Sequence, residues 1–432
     1  MAETNHRRKE YQMIKLNMAY KRLDPAYLFS DIAQRLKQYK AYHPDVKIIK
    51  LGIGDVTEPL PDACIKALHK AIDEMASKET FKGYGPEQGY DFLREIIAEK
   101  DFQSRGANIT ANDIFVSDGT KCDIANFQEL FSNEIKVAVM DPVYPVYVDS
   151  NVMAGRTGVS YKKRYHEITY LECTPENNYM PDLPSSPVDL IYLCYPNNPT
   201  GQTITRKELE RWVQYAIDNQ SLILYDAAYE SFIKDPELPR SIYEIPGATK
   251  VAVEFRSFSK SAGFTGLRCA YTVVPEDCLV YSHNEAAYTL RGFWNRRQTT
   301  KFNGVSYPVQ CAAHAVYSDE GQVQVNALTD YYLKNAAVVR KAFLDMGYQC
   351  TGGDNSPYIW INVKSDSWIF FDALLKVTGV VCTPGLGFGE CGKTFIRISA
   401  FNDYNAVLEA VERIQKNHDE VLAVNERDLK SV

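Results

Sequence analysis

The strongest constraint on the fold is a repeated alternation of short apolar segments with segments of helical periodicity, which runs through the chain from residue 111 onward. The apolar segments are Asp113–Val116, Lys136–Met140, Leu190–Cys194 and Ser221–Asp226. Strands that are apolar along most of their length are typical of a parallel sheet covered on both faces by helices. The sequence therefore predicts an α/β fold with a mostly parallel central sheet.

The C-terminal third departs from this alternation. A long amphipathic helix is predicted at Asn326–Met346 and a final helix at Tyr404–Asn417, with strands between them at Ile359–Val363, Gly379–Cys382 and Lys393–Ser399. This order indicates a smaller α+β domain. The other predicted helices are Leu28–Tyr42, Cys122–Phe131 and Thr205–Gln220.

Two domains are expected because a chain of 432 residues is too long for one simple core. Hydrophobic residues make up 45% of the chain and charged residues 24%, as in an ordinary soluble globular protein. We predict an N-terminal arm with part of the small domain at residues 1–60, a large α/β domain at 61–310 and a small C-terminal α+β domain at 311–432.

Composition argues against several classes of function. A net charge of −7 gives no reason to expect nucleic-acid binding. The ten cysteines are scattered from Cys64 to Cys391 without a CxxC pair, and the first ten residues have no apolar segment of the kind found in signal peptides. No apolar run approaches the roughly 18 residues of a membrane helix, and the seven histidines show no metal-binding spacing. We therefore expect a cytoplasmic protein without a metal site.

Lys260 is the most informative single residue. It follows a strand-like apolar run that begins at Val251, and Ser257, Ser259 and Arg268 lie close to it in sequence. A lysine at a dry strand end has a lowered pKa and can form an imine with a carbonyl. Small hydroxyls and an arginine suit a phosphate group. Taken alone, an ordinary solvated lysine is the commoner interpretation.

Further polar residues fall at predicted strand ends, where open α/β sheets bind ligands. Asp118–Lys121 precedes a helix and either holds a phosphate or forms a plain capping turn. Asp226 ends an apolar strand and needs a cationic partner, which is either a protonated pyridine nitrogen or a neighbouring Lys or Arg. Asn198 lies in a predicted turn and could donate to a phenolate-like oxygen. Tyr144 and Tyr229 are candidates for stacking or hydrogen bonding.

Arg397 lies in a strand with apolar neighbours on both sides. It is placed either for a bidentate grip on a carboxylate or for a structural salt bridge. The glycine-rich segment Gly385–Gly389 lacks the GxGxxG spacing and precedes a strand rather than a helix, so we do not interpret it as a dinucleotide loop.

Six motifs occur in order along the chain: DGTK (118–121), DPVYPVY (141–147), YPNNPTG (195–201), YDAAYE (225–230), SFSKSAGFTGLR (257–268) and RIS (397–399). Together they resemble the fold-type I, class I and II aminotransferases, which use pyridoxal 5′-phosphate, and the resemblance spans almost the whole chain. Further segments are YLF (27–29), LGIGDVTEP (51–59), GYGPEQG (83–89), DGTKCD (118–123) and KFNGV (301–305). These resemble the narrower family of LL-diaminopimelate aminotransferases, which act in lysine biosynthesis.

The resemblance implies a role for each matching residue. Lys260 would bond covalently to the cofactor, Asp226 would keep its ring nitrogen protonated and Tyr144 would stack on the ring. Asn198 and Tyr229 would bind the phenolic oxygen. The phosphate would be held by Thr120, Lys121, Ser257, Ser259, Arg268 and, from a second subunit, Tyr84. Substrate would be contacted by Tyr27, Gly54, Lys121, Tyr144, Asn198, Asn303 and Arg397, with Glu87 of the second subunit at the distal amino group.

The resemblance also implies a homodimer and a transamination between LL-diaminopimelate and 2-oxoglutarate. The stretch Phe293–Phe302 departs from the narrower pattern, which leaves the distal end of the substrate open. Two enzymatic alternatives are a related aminotransferase for lysine, an aromatic or a dicarboxylic amino acid, and a pyridoxal-phosphate C–S lyase. A third is a non-catalytic amino-acid sensor, but the N-terminus leaves no room for a DNA-binding domain.

Overall fold

The computed structural model of the protein describes residues 14–24, 27–161, 164–282, 284 and 286–430. A seven-stranded sheet forms the centre of the larger part, in the spatial order β1-β7-β6-β5-β4-β2-β3. All its strands are parallel except β7, which is antiparallel to both neighbours. The strands are β1 Ile114–Ser117, β2 Val137–Asp141, β3 Ile168–Glu172, β4 Leu190–Cys194, β5 Leu222–Asp226, β6 Ala252–Ser257 and β7 Ala270–Val273. The predicted α/β class is confirmed.

A four-stranded antiparallel sheet forms the centre of the smaller part, in the order β8-β9-β11-β10. Its strands are β8 Gln349–Gly352, β9 Tyr358–Asn362, β10 Thr383–Pro384 and β11 Phe395–Ser399. The predicted strand at Gly379–Cys382 is shorter: Val380–Val381 pairs in parallel with Ile49–Lys50. The chain before the large sheet therefore contributes a strand to the smaller part.

Thirteen helices accompany the sheets within the described ranges. They are α1 Leu28–Tyr42, α2 Asp62–Met75, α3 Asp91–Ile97, α4 Thr120–Phe127, α5 Val146–Met153, α6 Arg206–Asn219, α7 Phe258–Ser261, α8 Leu290–Lys301, α9 Tyr307–Ala315, α10 Asp319–Asp345, α11 Ser367–Thr378, α12 Tyr404–Lys416 and α13 His418–Leu429. No helix in this part of the chain is both long and apolar enough to cross a bilayer.

Three helix predictions were wrong, two at the start of the helix and one in taking the helix as the last of the chain. The helix predicted at Cys122–Phe131 begins at Thr120, because Gly119 takes the N-cap position. The helix predicted at Asn326–Met346 begins at Asp319, where the Ser318 hydroxyl accepts from the backbone N–H of Gly321 at 3.0 Å. The helix predicted as the last one is followed by α13, which packs against α11 and buries Val421.

Two separate hydrophobic clusters form the core. One surrounds the seven-stranded sheet, and the other lies between the four-stranded sheet and α1, α10, α11 and α12. Helix α10 contributes Val325 to the first cluster and Tyr332 to the second. The domain boundaries at 60 and 310 stay a prediction, and residues 1–13 of the predicted arm lie outside the described residues.

Arg156 fixes the C-terminal end of the segment that begins with α4. Its buried guanidinium donates to the carbonyls of Gln128 (2.7 Å), Phe131 (2.6 Å) and Ser132 (2.9 Å). We expect Arg156→Met to lower the free energy of unfolding by about 2–4 kcal/mol, because one buried and two partly buried carbonyls lose their donor. Urea unfolding measures the loss. The control is Arg211→Met, which removes a surface ion pair with Glu208 and should lower the free energy of unfolding by at most about 1 kcal/mol. Equal losses of stability in the two variants would contradict the prediction.

Candidate active site

A cavity of about 490 Å³ lies at the carboxyl ends of β5 and β6 and reaches β11 of the smaller sheet. This is the edge of a parallel sheet where ligands bind. Most of the residues singled out from the sequence line it. They are Tyr27, Gly54, Thr120, Lys121, Tyr144, Asn198, Asp226, Tyr229, Ser257, Ser259, Lys260, Arg268 and Arg397.

Three of the singled-out residues do not line this cavity: Tyr84, Glu87 and Asn303. Tyr84 is 91% exposed. The loops that carry Glu87 and Asn303 adjoin, since a Cβ on Gly304 would lie 3.0 Å from the carbonyl oxygen of Pro86. Tyr84 and Asn303 are therefore exposed outside the cavity of their own chain, and Glu87 is half-buried there.

Lys260 stands where β6 passes into α7. The Ser257 hydroxyl caps this short helix by accepting from the backbone N–H of Ser259 at 3.0 Å. The Lys260 ammonium donates to the carbonyl of Gly54. Burial lowers the pKa of Lys260 to about 8, the charges of Arg397 and Arg268 act in the same direction, and Asp55 opposes them. The neutral amine is thus the minor form near physiological pH, but far more abundant than in an ordinary lysine.

An anion-binding region lies at the N-terminus of α4. Gly119, at φ +152°, precedes Thr120, and a Cβ on Gly119 would lie only 2.1 Å from an Nη atom of Arg268. The guanidinium therefore rests directly on the glycine backbone. Thr120 at the N-terminus of α4, Arg268, Ser257 and Ser259 all line the cavity. This donor set matches a phosphate.

Arg397 is a buried cation without a matching anion. It is 1% exposed, and it donates to Asn198 Oδ1 (2.6 Å) and to the carbonyl of Gly52 (2.7 Å). Its Nε has no partner, and no salt bridge involving Arg397 occurs among the described residues. The structural salt bridge considered above is therefore wrong for this part of the chain. A carboxylate bound in the cavity would supply the missing charge.

Asp226 is the complementary case, a buried carboxylate at the end of β5. It accepts from the Tyr147 hydroxyl (2.6 Å) and from the backbone N–H of Ala228 (3.0 Å). Burial raises its pKa to about 6, while these two hydrogen bonds lower it. No Lys or Arg pairs with Asp226 in the described ranges. A cation bound in the cavity is the remaining way to compensate its charge.

The tyrosines of the cavity are neutral and largely buried. Burial raises the pKa of Tyr144 and of Tyr229, and in Tyr27 the nearby Asp149 adds to the effect. The Lys121 ammonium lies 5.9 Å from the centroid of the Tyr144 ring. Aromatic rings, phenol groups and the Lys121 ammonium thus line the same cavity as Asp226 and Arg397.

Two residues of the site were missed by the sequence analysis. Tyr147 supplies the hydrogen bond to Asp226, and Tyr358 lies against both Tyr229 and Arg397. Tyr147 follows Tyr144 in the motif DPVYPVY, so it was within the quoted signal. Tyr358 belongs to no quoted motif, and only the packing of β9 against β11 brings it to the cavity.

Comparison with known proteins places the chain among aminotransferases. Residues 46–414 match the family described as aminotransferase class I and II. An LL-diaminopimelate aminotransferase of Desulforapulum autotrophicum is 62% identical over 94% of this chain and 99% of its own length. The enzyme of that name from Methanosphaera stadtmanae is 54% identical over 93% of this chain and 99% of its own.

Solved structures show the same fold. The L,L-diaminopimelate aminotransferase of Chlamydomonas reinhardtii superimposes with a TM-score of 0.88 and 44% identity, covering 93% of this chain and 98% of that one. The aspartate aminotransferase of Thermus thermophilus with maleate superimposes with a TM-score of 0.78 at 19% identity, over 94% of this chain and 100% of that one. At this low identity the second comparison bears on the fold alone.

Proposed function

Since the chain belongs to the aminotransferase class I and II family, we propose that it transfers an amino group between LL-2,6-diaminopimelate and 2-oxoglutarate. The products are glutamate and an oxo acid that cyclises to tetrahydrodipicolinate. The observation that carries this proposal is that two buried charges without an ionic partner among the described residues, Asp226 and Arg397, line the same cavity as Lys260. The substrate follows from the relatives at 54–62% identity, which bear that enzyme name.

The cofactor that fits this arrangement is pyridoxal 5′-phosphate. Its phosphate suits the region formed by Gly119, Thr120 and Arg268, and its ring nitrogen, when protonated, would compensate Asp226. Asn198 and Tyr229 would bind its phenolic oxygen and Tyr144 would cover its ring. When bound, the cofactor supplies an aldehyde that bonds to amines and a ring that withdraws electrons from the bond that breaks.

The chain's own residues then direct the proton transfer. Arg397 holds the α-carboxylate of the substrate, which fixes the orientation of its Cα–H bond. Lys260, with its pKa lowered to about 8 in the cofactor-free protein, would take the proton from the substrate Cα as general base and, as general acid, deliver it to the carbon that was the cofactor's aldehyde carbon. Asp226 would keep the cofactor's ring nitrogen protonated through its negative charge. The buried tyrosines limit the access of water to these atoms.

A homodimer in the cytoplasm is part of this proposal. Tyr84, Glu87 and Asn303 lie outside the cavity of their own chain, and the loops that carry Glu87 and Asn303 adjoin. In a two-fold dimer such loops can reach the partner's cavity. There Tyr84 would contact the phosphate, and Glu87 would meet the distal ammonium group of the substrate.

A half-reaction tests the function. The enzyme loaded with pyridoxal phosphate is mixed with LL-diaminopimelate without an acceptor, and the loss of visible cofactor absorbance is followed. We expect rapid loss with LL-diaminopimelate and with glutamate, and slow loss with meso-diaminopimelate and lysine. Conversion only with other amino acids would keep an aminotransferase but reject this substrate. Pyruvate release from a cysteine conjugate would favour a C–S lyase, and failure to bind the cofactor would reject the whole proposal.

Gly119→Ala should weaken cofactor binding while leaving the protein folded. The new Cβ would displace the Arg268 guanidinium, which lies 2.1 Å from that position. We expect the dissociation constant for pyridoxal phosphate to rise by about tenfold or more, since a charge-assisted contact is lost. Fluorescence titration of the cofactor-free protein measures it. Gly347→Ala is the matched control, because Gly347 also has a positive φ (+86°) but no atom within 4 Å of a new Cβ.

A further inference from the structure

Tyr358 lies between the residues assigned to the cofactor and the residue assigned to the substrate carboxylate. It is 1% exposed and begins β9. Its hydroxyl is 2.6 Å from that of Tyr229, and the two rings meet edge to face with centroids 5.0 Å apart. The face of the Tyr358 ring lies 4.3 Å from the guanidinium carbon of Arg397. One side chain thus contacts both halves of the site.

The surrounding backbone leaves Tyr358 little freedom to move. A Cβ on Gly54 would lie 2.4 Å from the Tyr358 hydroxyl, and a Cβ on Gly201 would lie 2.4 Å from the Tyr358 carbonyl oxygen. Gly201 closes the turn that carries Asn198, and its N–H donates to Asn197. The tyrosine is therefore fitted between two segments that both contribute to the cavity, and its position is fixed by close packing.

The position of the proton in the hydrogen bond between Tyr229 and Tyr358 determines which hydroxyl remains free to donate to a ligand. Among the described residues, the hydroxyls of Tyr229 and Tyr358 hydrogen-bond only to each other. A phenol has one proton to donate. If Tyr229 donates to an oxygen of the bound cofactor, the proton between the two tyrosines must come from Tyr358. Two hydrogen bonds in a chain strengthen one another, so Tyr229 becomes a better donor.

We propose that Tyr358 is a positioning residue that orients the Tyr229 hydroxyl towards the cofactor and supports the Arg397 guanidinium with its ring face. This inference rests on the proposed function, because it requires a cofactor oxygen at Tyr229. It assigns separate roles to two parts of one side chain. The hydroxyl acts on the cofactor and the ring acts on carboxylate binding.

The hydroxyl is tested by the pH titration of the visible absorbance of the loaded enzyme. Tyr358→Phe keeps the ring and removes the donor. With a weaker hydrogen bond from Tyr229, the phenolic oxygen of the cofactor carries more negative charge. The proton that this oxygen shares with the nitrogen of Lys260 in the loaded enzyme is then retained to higher pH. We expect the midpoint to rise by roughly 0.2–0.5 pH unit. Tyr229→Phe should raise it further, and the double variant should match Tyr229→Phe alone.

The ring is tested with pimelate, which has the carbon chain and both carboxylates of the substrate but no amino groups. Tyr358→Phe should bind pimelate within twofold of the original protein. Tyr358→Leu, which removes the aromatic face beneath Arg397, should bind it about fivefold more weakly. Thermal unfolding of each cofactor-free variant identifies any that does not fold. A Leu variant that does not fold is replaced by Tyr358→Met, with the same expectation.

Tyr243→Phe is the matched control. Tyr243 is also buried, its hydroxyl is 3.1 Å from the carbonyl of Ala252 and 3.0 Å from that of Val273, and it lies outside the cavity. In Tyr243→Phe, the midpoint of the absorbance titration and the affinity for pimelate should both be unchanged. A shift in Tyr358→Phe that adds fully to that of Tyr229→Phe would overturn the inference, as would no shift at all. If the unmodified protein acquires no visible absorbance with pyridoxal phosphate, the proposed function fails instead.

Discussion

Lys260→Ala should abolish turnover while leaving the cofactor site folded. We expect kcat to fall by at least about 1,000-fold, because the variant lacks both the amine that attaches the cofactor and the general base. Stopped-flow absorbance with LL-diaminopimelate measures the half-reaction directly. Lys250→Ala is the control: Lys250 precedes β6 at the opposite end from Lys260 and is exposed. A Lys260→Ala enzyme that turned over with exchangeable cofactor would contradict the assignment.

The lowered pKa of Lys260 predicts how attachment depends on pH. The pKa is about 8 in the cofactor-free structure, since burial disfavours the ammonium form. Only the neutral amine attacks an aldehyde, so the rate constant for covalent attachment should rise with pH and level off above about 8. An ordinary lysine would give a rate that still increases at pH 10. Mixing the cofactor-free protein with pyridoxal phosphate at a series of pH values measures this rate.

Residues at strand ends were accessible from the sequence because their position depends on local patterns. Asp226 ends an apolar strand, and Lys260 follows another, so the sheet rule alone predicts that both face the same edge. The aminotransferase resemblance supplied the roles that this rule could not. Arg397 illustrates the difference: its strand was clear from the sequence, but only the structure shows that no ionic partner for it occurs among the residues that the structure describes.

The residues that support the site could not be found in this way. Tyr147 meets Asp226 across 79 positions of sequence, and Tyr358 meets Tyr229 across 129. Neither contact follows from periodicity, because each depends on how separate elements pack. With 29 tyrosines in the chain, residue type alone carries little information. Helix ends were misplaced for a related reason: the start of α10 depends on a cap by Ser318 and on the burial of Gly321 and Val325.

Asp226→Asn should slow the half-reaction by roughly 100-fold or more without unfolding the protein. The asparagine oxygen can still accept from the Ala228 N–H, and the amide NH2 in place of the other oxygen can donate to the Tyr147 hydroxyl oxygen, so the change removes the charge and retains the shape. Without that charge, the ring nitrogen loses its proton more readily and withdraws electrons less strongly. Stopped-flow absorbance with LL-diaminopimelate measures the rate, and thermal unfolding checks the fold.

The pKa of Asp226 predicts the direction in which cofactor affinity changes with pH. Burial raises it to about 6 in the cofactor-free protein, so below pH 6 the carboxyl becomes neutral and resembles asparagine. A bound cation favours the carboxylate. The affinity of the unmodified protein for pyridoxal phosphate should therefore fall as the pH drops through about 6. The affinity of Asp226→Asn should not show this fall near pH 6. Subtracting the pH profile of the variant from that of the unmodified protein removes the contribution of the cofactor's own titration.

Asp101→Asn separates the effect of this charge from that of any buried carboxylate. Asp101 accepts from the hydroxyls of Tyr271 (2.5 Å) and Tyr317 (2.6 Å), much as Asp226 accepts from Tyr147, but it lies outside the cavity. Its loss should lower stability and leave the half-reaction rate within about twofold. Near-normal rates in Asp226→Asn would show that the cation compensating this carboxylate is not on the reaction path. Equal slowing in both variants would assign the effect to the fold.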